Sequence, residues 1–289
     1  MTQFSVSSLE MGIGTHSDVV VLRIPNQFLK NSDRMVHLRA EPAGTKRERS
    51  GGMKEDMSTE NEEKDLNFLL ARKAIKELNR RGVKASYVAN RQEALVMLME
   101  MIPAGPTIGT ADSITLVQIG IISALKKRGK NKVINPHLRK SDGNLVVDSG
   151  KERDELMRKV FFSDIFLIGS NAVTLDGKIV NTDGYGNRVA AMIFGPRKVI
   201  IVIGANKIVR DVEQGIKRIR EVCAPQIAIK HGKSHHRPQF LDLPCTKTGI
   251  CIDCTHPWRA CHYTTIIEGV MEPHKGRIEV IIVGERLGI

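Results

Sequence analysis

The stretch Lys198–Gly204, K-V-I-I-V-I-G, indicates the fold class of this chain of 289 residues. A continuous run of β-branched residues that ends at a glycine is typical of a strand buried on both faces of a sheet. The sequence predicts a helix before it, over 188–194, which Gly195 and Pro196 then break. It predicts a second helix after it, over 206–222. We therefore expect a central strand between two helices.

Strand-like and helix-like segments alternate along the chain from about residue 61. Further strands are predicted at 84–89, 107–109, 132–135, 164–169, 264–268 and 277–283, with a hairpin over 172–181. Further helices are predicted from 61 to the glycine at 82, over 92–101, from the capping residues at 112 and 113 to 128, and over 152–161. This alternation predicts an α/β fold with a mostly parallel sheet and helices on both faces.

Residues 1–60 differ from the rest because they lack sustained periodicity and end in a charged, polar run. Their apolar surface is too small to offset the entropy of ordering them. We predict a mobile N-terminal extension over 1–60, with a short strand at Val19–Leu22, and a folded domain over 61–289.

The composition predicts no membrane association. Hydrophobic residues make up 41% of the chain, but no apolar run approaches the ~18 residues that a membrane span requires. The first ten residues lack the basic start and apolar core of a secretory signal. Because the cysteines are clustered without an export signal, a cytoplasmic location is expected.

The net charge of +12 is unevenly distributed, with ten Lys or Arg against three Asp or Glu between residues 196 and 239. Such positive charge attracts either nucleic acid or small anions. Aromatic residues make up only 4% of the chain, too few for an evident base-stacking surface. The balance favours a solvated basic face and small anionic ligands over nucleic acid.

Four of the five cysteines follow the spacing C-x5-C-x2-C-x6-C near the C-terminus: Cys245, Cys251, Cys254 and Cys261. Four thiolates can close a tetrahedral zinc site or hold an iron–sulfur cluster such as 4Fe–4S. Disulfides or redox-active thiols, and reduced structural cysteines, are the alternatives. A metal or cluster is favoured, and His256 or His262 offers a replacement for one thiolate. Trp258 is expected to pack over this group.

A polar turn at 109–120, G-T-A-D-S-I-T-L-V-Q-I-G, is the first candidate for ligand binding. A strand end that leads through such a turn into a helix suits a phosphate or carboxylate. The candidate anion-binding residues are Gly109, Asp112, Ser113 and Thr115. An ordinary capped helix is the alternative, and the turn is not a Walker A loop because G-K-S/T is absent.

The segment 170–188, S-N-A-V-T-L-D-G-K-I-V-N-T-D-G-Y-G-N-R, is the second candidate. It concentrates glycines, amides and an arginine, which suit close approach, fixed hydrogen bonds and an anion clamp. Its candidate binding residues are Asn171, Asn181, Gly184, Gly186, Asn187 and Arg188. Asp183 is the candidate acid/base or nucleophilic carboxylate. A pair of tight turns is the alternative.

The remaining candidates are interpreted as structural. His231, His235 and His236 lie in the basic run K-H-G-K-S-H-H-R, which predicts a solvated loop in preference to a metal site. Cys223 lies on the apolar stripe of the helix predicted at 206–222 and is expected in the core.

These segments together resemble the lactate-utilisation (LUD) domain family. The matching pieces are 109–120, 170–181, G-Y-G-N-R-V-A-A-M-I-F-G-P-R-K-V-I-I-V-I-G at 184–204, P-C-T-K-T-G-I-C-I-D-C-T-H-P-W-R-A-C at 244–261, and I-I-V-G-E-R-L-G at 281–288. They follow in the family's order from about residue 60 to the end. The cysteine tail is similar to that of a stand-alone subgroup, and residues 1–60 have no counterpart.

The resemblance implies a fold similar to the ribose-5-phosphate isomerase, glucosamine-6-phosphate deaminase and coenzyme-A transferase group (the NagB/RpiA/CoA-transferase-like fold). Members of that group bind small anions at strand ends. The resemblance also implies a role near lactate oxidation to pyruvate, with iron–sulfur and redox subunits as partners.

Three hypotheses follow. The first is a protein of lactate or organic-acid redox metabolism that binds a small anion and a cysteine-ligated metal or iron–sulfur cluster. The second is a sugar-phosphate isomerase or coenzyme-A transferase-like enzyme with structural cysteines. The third is a non-enzymatic scaffold or nucleic-acid-binding subunit. Whether the chain forms a homo-oligomer stays open.

Overall fold

Residues 59–147 and 150–289 are described by a computed structural model of the chain. Nearly all of the predicted extension over 1–60, with its strand at Val19–Leu22, lies outside the described residues. None of the helices in the described ranges is long and apolar enough to cross a lipid bilayer.

Two sheets form the framework of the described residues. The strands are β1 Lys84–Val88, β2 Ile108–Thr110, β3 Val133–Ile134, β4 Ile165–Ile168, β5 Ala172–Thr174, β6 Ile179–Asp183, β7 Lys198–Gly204, β8 Ile208–Val209, β9 Tyr263–Ile267 and β10 Ile278–Val283. The larger sheet has the order β1-β10-β7-β4-β2-β3, with every pair parallel. The smaller sheet, β8-β5-β6-β9, pairs β6 antiparallel to both neighbours. The predicted α/β class with a mostly parallel sheet is confirmed.

Nine α-helices occur in the described ranges. They are α1 Glu60–Arg80, α2 Arg91–Met101, α3 Ile114–Ile119, α4 Ile121–Arg128, α5 Gly150–Val160, α6 Asn187–Ile193, α7 Val212–Arg218, α8 Ala224–Lys233 and α9 Pro244–Thr248. Helices cover both faces of the large sheet, as predicted. Along β7, Val199, Ile201 and Ile203 face the core that contains residues of α1, α5 and α6. Ile200 and Val202 face the other core, with residues of α2, α3 and α4.

Two predicted helices differ from the structure. The helix predicted from 112 to 128 is divided at Gly120, whose positive φ of 81° ends α3 and begins α4. The helix predicted over 206–222 starts only at Val212, because the Asp211 side chain accepts a hydrogen bond from Gln214 N and caps it there.

The same helical run then continues past its predicted end. A π-helical turn over Ile219–Cys223 joins α7 to α8, which extends to Lys233. Pro225, in the first turn of α8, has no N–H to donate to an i−4 carbonyl, and the wider turn accommodates this loss. The turn brings Ile219, Cys223 and Ala224 to the wall of a cavity.

Candidate functional site

A cavity of about 230 Å³ lies next to the carboxyl ends of β2 and β6. Six of the residues proposed from sequence line it: Asp112, Asn171, Asp183, Gly184, Asn187 and Arg188. The structure therefore brings the two candidate segments together at one cavity. The first segment contributes a single predicted residue, and the second contributes the other five.

Arg188 is held in place by a pair of amides. Its Nη2 donates to Asn181 Oδ1 at 3.1 Å, to Asn171 Oδ1 at 3.4 Å and to the Thr182 carbonyl. Asn181 is fully buried and does not line the cavity, but its Oδ1 also accepts from Asn171 N at 3.2 Å. Asn181 therefore orients the arginine, while Asn171 and Arg188 face the cavity itself.

Asp183 has a structural contact in addition to its place at the cavity. Its Oδ2 accepts from Arg188 N at 2.8 Å and so satisfies a free N–H in the first turn of α6. Gly186 precedes α6 with a φ of 84°, a Cβ there would lie 3.4 Å from the Tyr263 ring, and the residue is absent from the described cavity wall. The tight-turn alternative thus describes Gly186, and a catalytic role for Asp183 stays a prediction.

The remaining residues of the first candidate turn have structural roles. A Cβ at Gly109 would lie 2.5 Å from Ser163 Oγ, so that position needs a glycine for packing. Ser113 Oγ caps α3 by accepting from Leu116 N at 3.4 Å. Thr115 is buried and, like Gly109 and Ser113, is absent from the described cavity wall. The capped-helix alternative describes this turn, except for Asp112.

Sequence analysis missed four arginines of the cavity wall: Arg139, Arg153, Arg237 and Arg259. With Arg188 they face only two carboxylates, Asp112 and Asp183, among the described lining residues. Nε of Arg153 is buried without a hydrogen-bond partner in the described residues. The excess positive charge favours an anionic ligand. Because these arginines are scattered along the chain, only the net charge could have indicated them.

All four C-terminal cysteines line a second cavity of about 180 Å³. Burial and the three neighbouring thiols raise the pKa of Cys245, so the sulfur atoms are near enough to interact. However, no three of these described thiols lie within 4.8 Å of one another. A single tetrahedral zinc ion would hold its sulfur ligands about 3.8 Å apart. The cysteines converge on one space, at a spacing wider than one zinc ion requires.

Arg259 connects the two cavities. It lines both, together with Ala260 and Thr182. Its Nε donates to Cys261 Sγ at 3.3 Å, its Nη2 to Cys261 O at 3.0 Å and its Nη1 to Cys254 O. One guanidinium therefore braces the cysteine loop and contributes positive charge to the wall of the first cavity.

The aromatic residues near the cysteines form one small cluster. Trp258 meets Phe240 edge to face, with ring centroids 5.9 Å apart. Phe240 belongs to a buried group against which Cys245 and Cys254 pack. Of the two histidines considered as replacement ligands, His256 accepts from Trp258 N at 3.2 Å through its Nδ1. Neither it nor His262 joins a described cluster of three donor atoms.

A family model for the LUD domain matches residues 71–283, which include both cavities' principal residues. This chain belongs to the LUD domain family. Comparison with curated proteins finds no match. The chain is similar to a solved DUF162 family protein from Deinococcus radiodurans, with 12% identity, a TM-score of 0.42, and coverage of 75% of this chain and 98% of that one.

Two translation initiation factor structures show weaker similarity to this LUD protein. eIF2B delta from Chaetomium thermophilum has 19% identity and a TM-score of 0.27, covering 41% of this chain and 48% of that one. eIF-2B from Pyrococcus horikoshii OT3 has 19% identity and a TM-score of 0.28, covering 41% and 46%.

The histidines of the LUD domain's basic run correct an expectation from sequence. His231 lies on α8 at the cavity wall, and His235 is only 7% exposed, so the predicted solvated loop is wrong for both. The cause is the extension of α8, which carries His231 inward. Of the three histidines in this run, only His236 is exposed. The Nδ1 atoms of His231 and His235 are 2.9 Å apart.

Several basic side chains of the stretch 196–239 are buried or half-buried. The predicted solvated face is therefore wrong for Lys207, Arg218 and Arg237. Lys207 is 5% exposed and donates to Thr115 Oγ1 at 3.1 Å. Burial, with Arg218 nearby, lowers the pKa of Lys207 to about 7. Arg218 donates to Asn171 O and to Sγ of Cys223, which is buried as predicted but also lines the cavity.

Proposed function

We propose that this LUD-domain protein binds a small organic acid, of the lactate or pyruvate type, beside a cysteine-ligated iron–sulfur cluster. In this proposal it serves organic-acid redox metabolism in a reducing, cytoplasmic setting. The observation that carries the proposal is the adjacency of the two cavities, one lined by five arginines and the other by four cysteines, with Arg259 in both walls.

The arginine-lined cavity suits a small carboxylate. Its volume of about 230 Å³ is small for a cofactor-sized ligand. Arg188 can present its remaining N–H groups to a carboxylate, since the amides of Asn171 and Asn181 fix the orientation of its guanidinium. Leu145, Ile227 and Trp258 supply apolar wall against which the short carbon chain of an organic acid can pack.

The cysteine cavity fits a cluster better than a single ion. The four thiols share one space of about 180 Å³, and no three of these described thiols lie within 4.8 Å of one another, as they would around one zinc ion. A four-iron cluster is larger and takes four thiolates. The N–H of Arg259 toward Cys261 Sγ would stabilise a thiolate there. When bound, such a cluster supplies one-electron transfer.

The isomerase or transferase alternative depends on Asp183, and the geometry gives it less support. Oδ2 of Asp183 is already an acceptor for Arg188 N, which suits a structural cap. No second observation favours acid/base chemistry at this carboxylate.

The proposal is tested on full-length protein purified without oxygen. We expect iron and acid-labile sulfide in near-equal amounts and a broad visible absorbance. Cys254→Ser should lose both, whereas the matched control Cys223→Ser, which removes the cysteine outside the quartet, should keep both. Folded wild-type protein without iron, or equal iron in both variants, would contradict the cluster.

Ligand identity is tested by calorimetry with L-lactate, pyruvate, a sugar phosphate and acetyl-coenzyme A. Saturable binding of lactate or pyruvate that is lost in Arg188→Gln supports the proposal. Exclusive binding of the sugar phosphate or the coenzyme-A ester would favour the isomerase or transferase alternative instead.

A further inference from the structure

The cavity wall holds a second set of metal-binding atoms that the cysteines do not explain. One donor atom each from Asp112, His231 and His235 lies within 4.8 Å of the other two. Asp112 follows the end of β2, while His231 lies in the last turns of α8 and His235 just beyond it. Residues four apart at a helix end are neighbours in space, so the two imidazoles meet.

The carboxylate of this set lacks a partner, and the two imidazoles have their Nδ1 atoms within hydrogen-bond distance of each other. Oδ2 of Asp112 is buried and has no hydrogen-bond partner among the described residues, an arrangement that costs free energy unless something occupies it. A carboxylate binds metal ions in its ionised form.

The two imidazoles are the nitrogen donors of the set. His235 is only 7% exposed, and His231 lies at the cavity wall. Neutral imidazole is the form that ligates metals. Further charged or titratable groups near this set are His137, Arg139 and Arg237.

The separation of the two nitrogens matches a shared ion. The Nδ1 atoms are 2.9 Å apart. Neighbouring ligands of a six-coordinate ion with bonds of about 2.1 Å lie about 3.0 Å apart, whereas a tetrahedral ion would place them about 3.4 Å apart. Phe240 stacks on His231 at 5.0 Å and helps to fix the ring. Two imidazoles and one carboxylate form a ligand set that leaves other positions of the ion open.

We propose that Asp112, His231 and His235 bind one divalent first-row metal ion at the wall of the arginine-lined cavity. Asp112 and His231 both face the cavity, so the open positions of the ion are accessible to an anionic ligand. The five arginines repel a cation, and a bound carboxylate offsets that repulsion. The organic acid and the ion therefore bind cooperatively, each raising the affinity for the other.

The proposal is independent of the cysteine cluster and can fail separately from it. Mn²⁺ is the probe, because it prefers nitrogen and oxygen ligands to thiolates and the quartet does not compete for it. The loss of the signal of free Mn²⁺ is followed by electron paramagnetic resonance in the full-length protein. We expect one equivalent bound per chain, with tighter binding when lactate is present.

Variants identify the ligands. Asp112→Asn and His235→Gln should weaken Mn²⁺ binding at least about tenfold, while iron at the quartet and the circular dichroism spectrum stay unchanged. His274→Gln, which alters an exposed histidine outside the set, is the matched control and should bind like the wild type. Equal binding in all variants, or no bound Mn²⁺ in the wild type, would overturn the proposal.

A measurement on the wild type tests the same ligands without depending on whether the variants fold. Pulsed electron paramagnetic resonance of the Mn²⁺-loaded protein should detect two coordinated imidazole nitrogens. Bound Mn²⁺ without nitrogen couplings would overturn the assignment, and the contact between His231 and His235 would then be a hydrogen bond alone.

Discussion

The two donor sets of this LUD protein differ in chemistry and in how the chain assembles them. The cysteine set offers four soft thiols from one stretch of 17 residues. The set of Asp112, His231 and His235 offers harder nitrogen and oxygen atoms from positions far apart in the sequence. The spacing of the cysteines in the sequence predicts the first set. The residues of the second set come together only in the folded chain. Arg259 and Phe240 connect the surroundings of the two.

The largest expected effect is the selective removal of one metal while the other stays bound. A chelator of hard cations should strip all Mn²⁺ and leave the iron, because four thiolates would hold the proposed cluster. A mild oxidant should destroy the cluster and leave Mn²⁺ bound. Elemental analysis after desalting measures both. If either treatment empties both sites, the two sets are not chemically distinct.

Replacement of Lys207 tests how the burial of a positive charge near the cavity affects stability. Lys207 belongs neither to the cysteine set nor to the set of Asp112, His231 and His235. We expect Lys207→Met to raise the free energy of unfolding by a few kcal/mol at pH 6, where the wild type must hold a buried charge near Arg218 and Arg188. Iron and Mn²⁺ contents should not change.

The pH dependence of this effect has a definite sign. The folded pKa of Lys207 is about 7 against an ordinary 10.5, so the unfolded chain binds more protons between these values. Wild-type stability should therefore rise with pH across that window, by up to about 1.4 kcal/mol per unit. Lys207→Met should lack this part of the rise. Urea unfolding at pH 6, 8 and 10 measures it, and identical slopes would contradict the prediction.

Arginine replacements test how the proposed binding of an organic acid depends on two residues of the arginine-lined cavity, Arg188 and Arg259. Arg188→Lys should weaken lactate or pyruvate binding about 10–100-fold, since lysine cannot keep the planar contacts to Asn171 and Asn181. It should leave the iron content unchanged. Arg259→Lys should weaken binding and also reduce iron retention.

Calorimetry and iron analysis measure these two variants, with exposed Arg210→Lys as the control. An Arg259→Lys protein that retains all its iron would show that this guanidinium does not brace the cysteine loop.

The smallest effect is expected at Asp183. Asp183→Asn keeps an oxygen that can accept from Arg188 N, so the free energy of unfolding should change by less than about 1 kcal/mol. Ligand affinity should remain within about threefold. A loss of turnover in a future assay, with binding intact, would instead support the predicted catalytic carboxylate.

Sequence analysis predicts the parts of the molecule that depend on residues close together in the chain. The apolar runs of β4, β7 and β10 are buried at almost every position, and their patterns predict parallel strands directly. Cysteine spacing and the Asn/Gly/Arg segment likewise indicated the linings of the two cavities, because their residues are contiguous. The family resemblance rested on these same segments and is confirmed.

The residues that sequence analysis missed depend on tertiary structure. The π-helical turn at Ile219–Cys223 carries an extra residue per turn and changes which face of α8 points inward. The sequence predicts the end of this helix at 222 and a solvated loop for the basic run, so the inward positions of His231 and His235 were missed. Lys207 was overlooked for a similar reason, since nothing near it in sequence indicates its partner Thr115.

The position of Arg259 would matter for the proposed cluster. Its guanidinium contacts Cys261 on one side and lines the arginine-lined cavity on the other. If the thiolates hold a cluster, an anion in that cavity makes adding an electron less favourable, and reduction weakens the hold on that anion by the same factor. Ligand occupancy would then shift the midpoint potential, and the redox state would set when the acid is released.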